Sequence, residues 1–141
     1  MSNKEQIVGL DQKLSAQRTQ WSETIRNLAA GLKKVDGMEI VIADILSSRQ
    51  TCVDQIAYLN VKIKEKKTAI TARYREAYIR YYEYDYKLGE KQKERFIEND
   101  LADDNMILSH LENQLEFFRD SIKTLDNMGF AVRNRLALNG L

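Results

Sequence analysis

Proline is absent from all 141 residues, and the six glycines are scattered at positions 9, 31, 37, 89, 129 and 140. Nothing therefore forces a helix to break at a fixed point, and no glycine-rich loop exists to cradle a phosphate. There is one cysteine, Cys52, and one histidine, His110, far apart in the chain. That excludes an internal disulfide and a cysteine or histidine metal cluster, and it argues against a Cys/His nucleophile. No pair of Glu-x-x-His motifs is present for a di-iron bundle. The longest apolar stretch, "MEIVIADIL", contains two acids and is too short to span a bilayer. The start, "MSNKEQIVG", has neither the basic nor the apolar region of a secretory signal. The expectations from these absences are a cytoplasmic protein that is not an enzyme, uses no cofactor or metal and does not enter a membrane.

What is present favours helix. Apolar residues make up 43% of the chain, enough for the core of one domain, and Glu, Lys, Gln, Leu, Ile and Ala are abundant. No stretch alternates apolar and polar residues in the manner of a strand, so the fold class is all-α. In the first segment, residues 1–37, positions Ile7, Leu10, Leu14, Gln17, Trp21, Ile25, Leu28, Leu32 and Val35 step by three or four along one face, and "VDG" at 35–37 is a stop. From Met38 to Leu88 the same spacing runs through Ile45, Cys52, Leu59, Ile63, Ile70, Tyr74, Ala77, Tyr81 and Tyr84. This is one long rod or two helices, with "ILSSRQ" at 45–50 the favoured break, because Arg49 and Lys66 interrupt the seam. Residues 89–141 read as a polar connector holding at most a turn or two of helix, then a helix through Leu108, Leu111, Leu115, Phe118, Ile122 and Leu125. Asp103, Asp104 or Asn105 serves as its cap, Gly129 stops it, and a short final helix folds Phe130 and Leu136 back onto the bundle. The expected architecture is a single domain: an elongated helical bundle or hairpin with coiled-coil-like seams that assembles into a homo-oligomer.

The segment "RYREAYIRYYEYDYKL", residues 73–88, holds six of the seven tyrosines. Heptad spacing assigns Tyr74, Tyr81 and Tyr84 to the seam and Tyr82 and Tyr86 to the outside, with Tyr78 undecided. Charge is divided along the chain. Residues 62–95 carry 11 basic and 6 acidic side chains, and residues 98–126 carry 2 basic and 8 acidic. Either the oppositely charged helices pair with each other, or the basic one tracks a polyanion while the acidic one faces a protein. Interleaved arginine and tyrosine suits single-stranded nucleic acid, where cations meet phosphates and rings stack on bases. It equally suits a subunit interface. The candidate nucleic-acid-binding residues are Arg73, Arg75, Arg80, Tyr82, Tyr86 and Lys87, with Lys64 and Lys67 upstream.

The basic, aromatic "AYIRYYEYDYKLG", the acidic connector and then "DDNMILSHLENQLEFFRDSIKTLDNMGFAVRNRL" resemble, in order and spacing over residues 73–136, the UvsY-like recombination mediator proteins of tailed phages. That resemblance implies a small, ring-forming helical oligomer that binds single-stranded DNA without sequence preference. It would help a strand-exchange recombinase displace single-strand-binding protein and assemble its filament, breaking no covalent bond. Arg73, Arg75 and Arg80 ahead of Tyr81 and Tyr82 match the family's basic cluster before paired tyrosines, although the family's lysine, two residues before an arginine, is here Thr71 before Arg73 or Tyr78 before Arg80. By the same analogy Phe130, Val132 and Leu136 contribute oligomer contacts. The rival reading is a coiled-coil structural or chaperone-like assembly protein of a virion or secretion apparatus that binds no nucleic acid.

Overall fold

The computed structural model describes residues 3–34, 36–83 and 88–138. They form three helices: α1 (Asn3–Gly31), α2 (Met38–Tyr82) and α3 (Glu90–Leu138), with no strand among the described residues. At 1.5 Å per residue, α2 and α3 are rods of roughly 70 Å. They run antiparallel: Arg49 meets Asp126, Lys66 meets Asp104, and Tyr81 meets Asp100. α1 lies parallel to α3, with Arg18 on Gln114 and the Leu32 carbonyl on Arg135.

The turn from α1 to α2 sits where the sequence places it. Gly37 adopts φ 79°, the left-handed region that disfavours a side chain, and its carbonyl accepts from the amides of Ile40 and Val41. Arg135 reaches across from the end of α3 and donates to the carbonyls of Leu32 and Lys33. A cation thereby satisfies carbonyls at the negative end of α1 and ties the two ends together.

Three expected interruptions do not occur. The 45–50 stretch continues as helix because the polar Arg49 of the seam finds a partner: its Nε donates to Asp126 Oδ1 at 2.7 Å. Residues 90–104, read from their polarity as a connector, are the first turns of α3. Ile97 and Leu101, one turn apart, are both buried against Ala77, Ile70 and Tyr81, which suffices to hold the segment helical. Asp104 is consequently not a cap but a buried residue deep inside a helix. Gly129 likewise does not end the helix. Met128 and Val132 on either side of it are buried in the main core, and their packing outweighs the roughly 1 kcal/mol cost of an internal glycine.

The apolar residues gather in two clusters. The larger joins all three helices around Cys52, Phe118 and Leu125, all fully buried, with Trp21 edge-on to Phe118 at 5.9 Å. The fully buried Gln114 adds a polar node between α1 and α3, donating to the Leu14 carbonyl and Gln17 Oε1 and accepting from Arg18. The smaller cluster contains only α2 and α3 residues. The molecule is therefore a three-helix body extended by a two-helix stalk. The stalk carries the tyrosine-rich segment.

Candidate nucleic-acid interface

The stalk sorts the expected tyrosines and cations onto two sides of α2. At about 100° per residue, Lys64, Lys67, Tyr74, Arg75, Tyr78 and Tyr82 fall within about 100° of arc. Arg73 and Arg80 fall on the other side of the core-facing line through Ala77. The difference decides what each cation does.

Arg73 and Arg80 turn toward α3. Arg73 Nη1 lies 2.6 Å from Asp104 Oδ2, Lys66 Nζ lies 2.7 Å from Asp104 Oδ1, and Arg80 Nη2 lies 3.6 Å from Asp100 Oδ2. Burial pushes the Asp104 carboxyl up, but hydrogen bonds from Lys66 and Arg73, and their charges, outweigh it and hold the carboxyl below the ordinary carboxylate range. Together with Arg49 and Asp126, these pairs use part of the charge asymmetry of the sequence inside one chain. Lys64, Lys67 and Arg75 are exposed and form no ion pair among the described residues. The carboxylates of the same stretch of α2, Glu65 and Glu76, fall outside their arc. The facing stretch of α3 is mixed in sign, with the exposed Glu94 and Glu98 beside the exposed Lys91 and Arg95, so the carboxylate-free run of cations is the one on α2.

Tyr74, Tyr78 and Tyr82 recur every four residues and form a ladder along the strip. Successive ring centroids are 6.4 and 6.1 Å apart, with planes inclined by 20° and 18°. Tyr74 was expected in the seam, but 45% of it is exposed; Tyr78 is 39% exposed and Tyr82 66%. The seam position fails at Tyr74 because Ala77 and Ile70 already fill the narrow two-helix contact. Tyr81 does point inward, half-buried, with its ring stacked on Phe96 at 5.6 Å and its hydroxyl donating to Asp100 at 2.7 Å. Lys93 of α3 sits 4.9 Å over the Tyr82 ring. Exposed Ile79 borders the ladder. Tyr84, Tyr86 and Lys87 lie outside the described residues.

The regular four-residue spacing of Tyr74, Tyr78 and Tyr82 was a signal in the sequence, hidden because heptad reading took Tyr74 as core. The counter-ion roles of Asp100 and Asp104 had a signal too, in the polar Lys66 on the seam. At the far end of the molecule, Val132 is buried in its own chain's core and Leu136 packs against it. Phe130 is 57% exposed, with the Arg133 guanidinium 4.7 Å over its ring.

A cleft of about 770 Å³ opens between α1 and α2, floored by Leu14, Leu59 and Leu111. It exists because both helices lean on α3 more than on each other. Two of the charges at its rim are already paired, Lys62 with Glu65 and Lys66 with Asp104. Among the described residues no three His, Cys, Asp or Glu side chains group as metal ligands, and no helix is long and apolar enough to cross a membrane. Burial pushes the Cys52 thiol up to about 11, which leaves it an inert core residue. Compared with known protein families, curated proteins and solved structures, the chain matches none.

Proposed function

We propose that the chain is a non-catalytic binding protein for single-stranded DNA, of the recombination-mediator kind, which loads a strand-exchange recombinase where single-strand-binding protein competes. The observation that carries the reading is the exposed ladder Tyr74–Tyr78–Tyr82 flanked by Lys64, Lys67 and Arg75, a strip free of carboxylates on α2. Aromatic faces take bases irrespective of sequence, and unpaired cations take phosphates. The resemblance over residues 73–136 to UvsY-like mediators supplies the recombinase, the single-strand-binding protein and the homo-oligomer as partners. Arg73 and Arg80 are assigned a secondary role, since carboxylates already engage them.

The test is fluorescence anisotropy of a labelled oligo-dT titrated across salt. Three phosphate contacts from Lys64, Lys67 and Arg75 give a log–log salt slope of about −2 per chain. Tight binding with that slope justifies adding recombinase next; no binding at low salt by a folded protein defeats the proposal. A coiled-coil assembly protein is the second reading, favoured by one observation: Arg49, Lys66, Arg73 and Arg80 all pair helix to helix. In that reading the ladder is a protein contact.

A further inference from the structure

The spacing of the ladder restricts which nucleic acid can use it. Rings four residues apart on a helix are separated by a rise of about 6 Å, and the backbone hydrogen bonds of α2 fix that rise. The observed centroid separations of 6.4 and 6.1 Å follow it closely. Carbon atoms in direct contact sit about 3.5–4.0 Å apart, so successive rings do not form a closed stack, and a swing of the exposed rings by about 1 Å opens each step to the roughly 7 Å that a base between two faces needs. Shallow depressions of about 270 and 360 Å³ lie at these steps, one beside Tyr74, Arg75, Tyr78 and Ile79, the other beside Tyr78, Ile79, Tyr82 and the exposed Glu83 just past the end of α2. Bases in a stacked strand follow one another at about 3.4 Å, roughly half the ladder's step. A stacked strand cannot place consecutive bases on consecutive steps. A strand whose bases have been drawn apart to about the helix rise can.

Resting on the single-strand reading above, we infer that the Tyr74–Tyr78–Tyr82 ladder selects unstacked single strands. Consecutive bases enter consecutive steps, and the backbone runs along α2 over Arg75, Lys67 and Lys64. The cations lie on the same arc as the rings, and from Lys64 to Arg75 α2 places no carboxylate among them, so the phosphodiester chain finds complementary charge up to the first step; at the last step Lys93 of α3 stands over the Tyr82 ring, with Glu83 beside it. Duplexes, with every base paired and stacked, are excluded. Strands that stack on themselves bind less well, because their own stacking must be lost first. The ladder therefore prefers oligo-dT, which stacks weakly, to oligo-dA of equal length, which stacks strongly.

The experiment compares oligo-dT, oligo-dA and an abasic phosphodiester of the same length and charge, using the full chain. Variants replace all three ladder tyrosines, either by Ser or by Phe. Wild type should bind oligo-dT several-fold more tightly than oligo-dA and most weakly the abasic strand. Tyr74→Ser, Tyr78→Ser and Tyr82→Ser together should lower oligo-dT affinity by about tenfold or more and remove the distinction among the three strands. The triple Phe variant, which keeps the rings, should retain it. Equal wild-type binding to all three strands would mean that charge alone holds the strand; this inference then fails while the single-strand reading stands. Failure of wild type to bind any strand removes both. A fall in light-scattering mass on the Ser substitutions would show the ladder to be a subunit contact, and the inference fails.

Discussion

The body and the stalk are made largely from the same two helices, yet they bury different things. In the body a third helix closes over α2 and α3, and Cys52, Phe118, Leu125 and Gln114 lose all contact with water. In the stalk, where two helices must suffice, the buried apolar residues are Ala77, Ile97 and Leu101, and charge does part of the joining through Asp104 and Asp100. Two helices cannot cover each other's outer faces, so the stalk leaves aromatic groups in water that a third helix would have covered. The region with the thinner core is also the region with the candidate binding surface. Binding surfaces commonly fall in parts of a fold with lower local stability.

The contrast can be broken most forcefully in the body. Phe118→Ala should cost about 3–5 kcal/mol, since it empties a fully buried site between Trp21 and Phe117. Urea denaturation should register it as a loss of the whole cooperative transition. Ile97→Ala should cost about 2–4 kcal/mol, expressed as local fraying. Hydrogen exchange should then quicken in residues 70–82 and 90–101 and leave the body protected. Equal loss of protection around Phe118 would show that body and stalk unfold as one unit.

The ion-paired joint gives the next effect. Asp104→Ala strands Lys66 and Arg73 and should cost about 2–3 kcal/mol, below the full penalty of a buried pair because Arg73 is largely exposed and regains water. The carboxyl is held below its ordinary value of 3.8, so its contribution is complete above that pH and is lost as pH falls through the folded value. Acid titration of stability should therefore show a decline below about 3.8 that Asp104→Asn lacks. An identical acid profile in the variant would place the stalk's stability elsewhere.

The smallest effect is a gain. Gly129 lies inside α3 with nothing within 4 Å of an added Cβ, so Gly129→Ala should stabilise by about 0.5–1 kcal/mol. A loss of stability, read from the same urea transition, would mean that the helix needs to yield at this point.

Much of this was legible in residue spacing. Steps of three and four identified the faces of α1 and α2, and "VDG" marked the turn that Gly37 makes. The errors cluster where local polarity and tertiary packing disagree. Residues 90–104 look like a connector because they have few apolar residues, but two of those, Ile97 and Leu101, sit one turn apart and find Ala77. Gly129 looks like a stop, but its neighbours are anchored. Arg49 and Lys66 look like defects in a seam, and each proves to be half of an ion pair whose other half lies far along the chain.

At the candidate site, composition and spacing alone put tyrosines and cations on one helix with no proline to interrupt it. Those are properties of composition and of a period of 3.6 residues, which act locally. Packing between helices settled which cations α3 neutralises and which remain for a ligand. It also decided that Tyr74 joins Tyr78 and Tyr82 in water. Both outcomes depend on which side of α2 the partner helix covers and how far α1 reaches along it. Contacts between residues 19 to 103 positions apart make that choice, and local spacing cannot encode them.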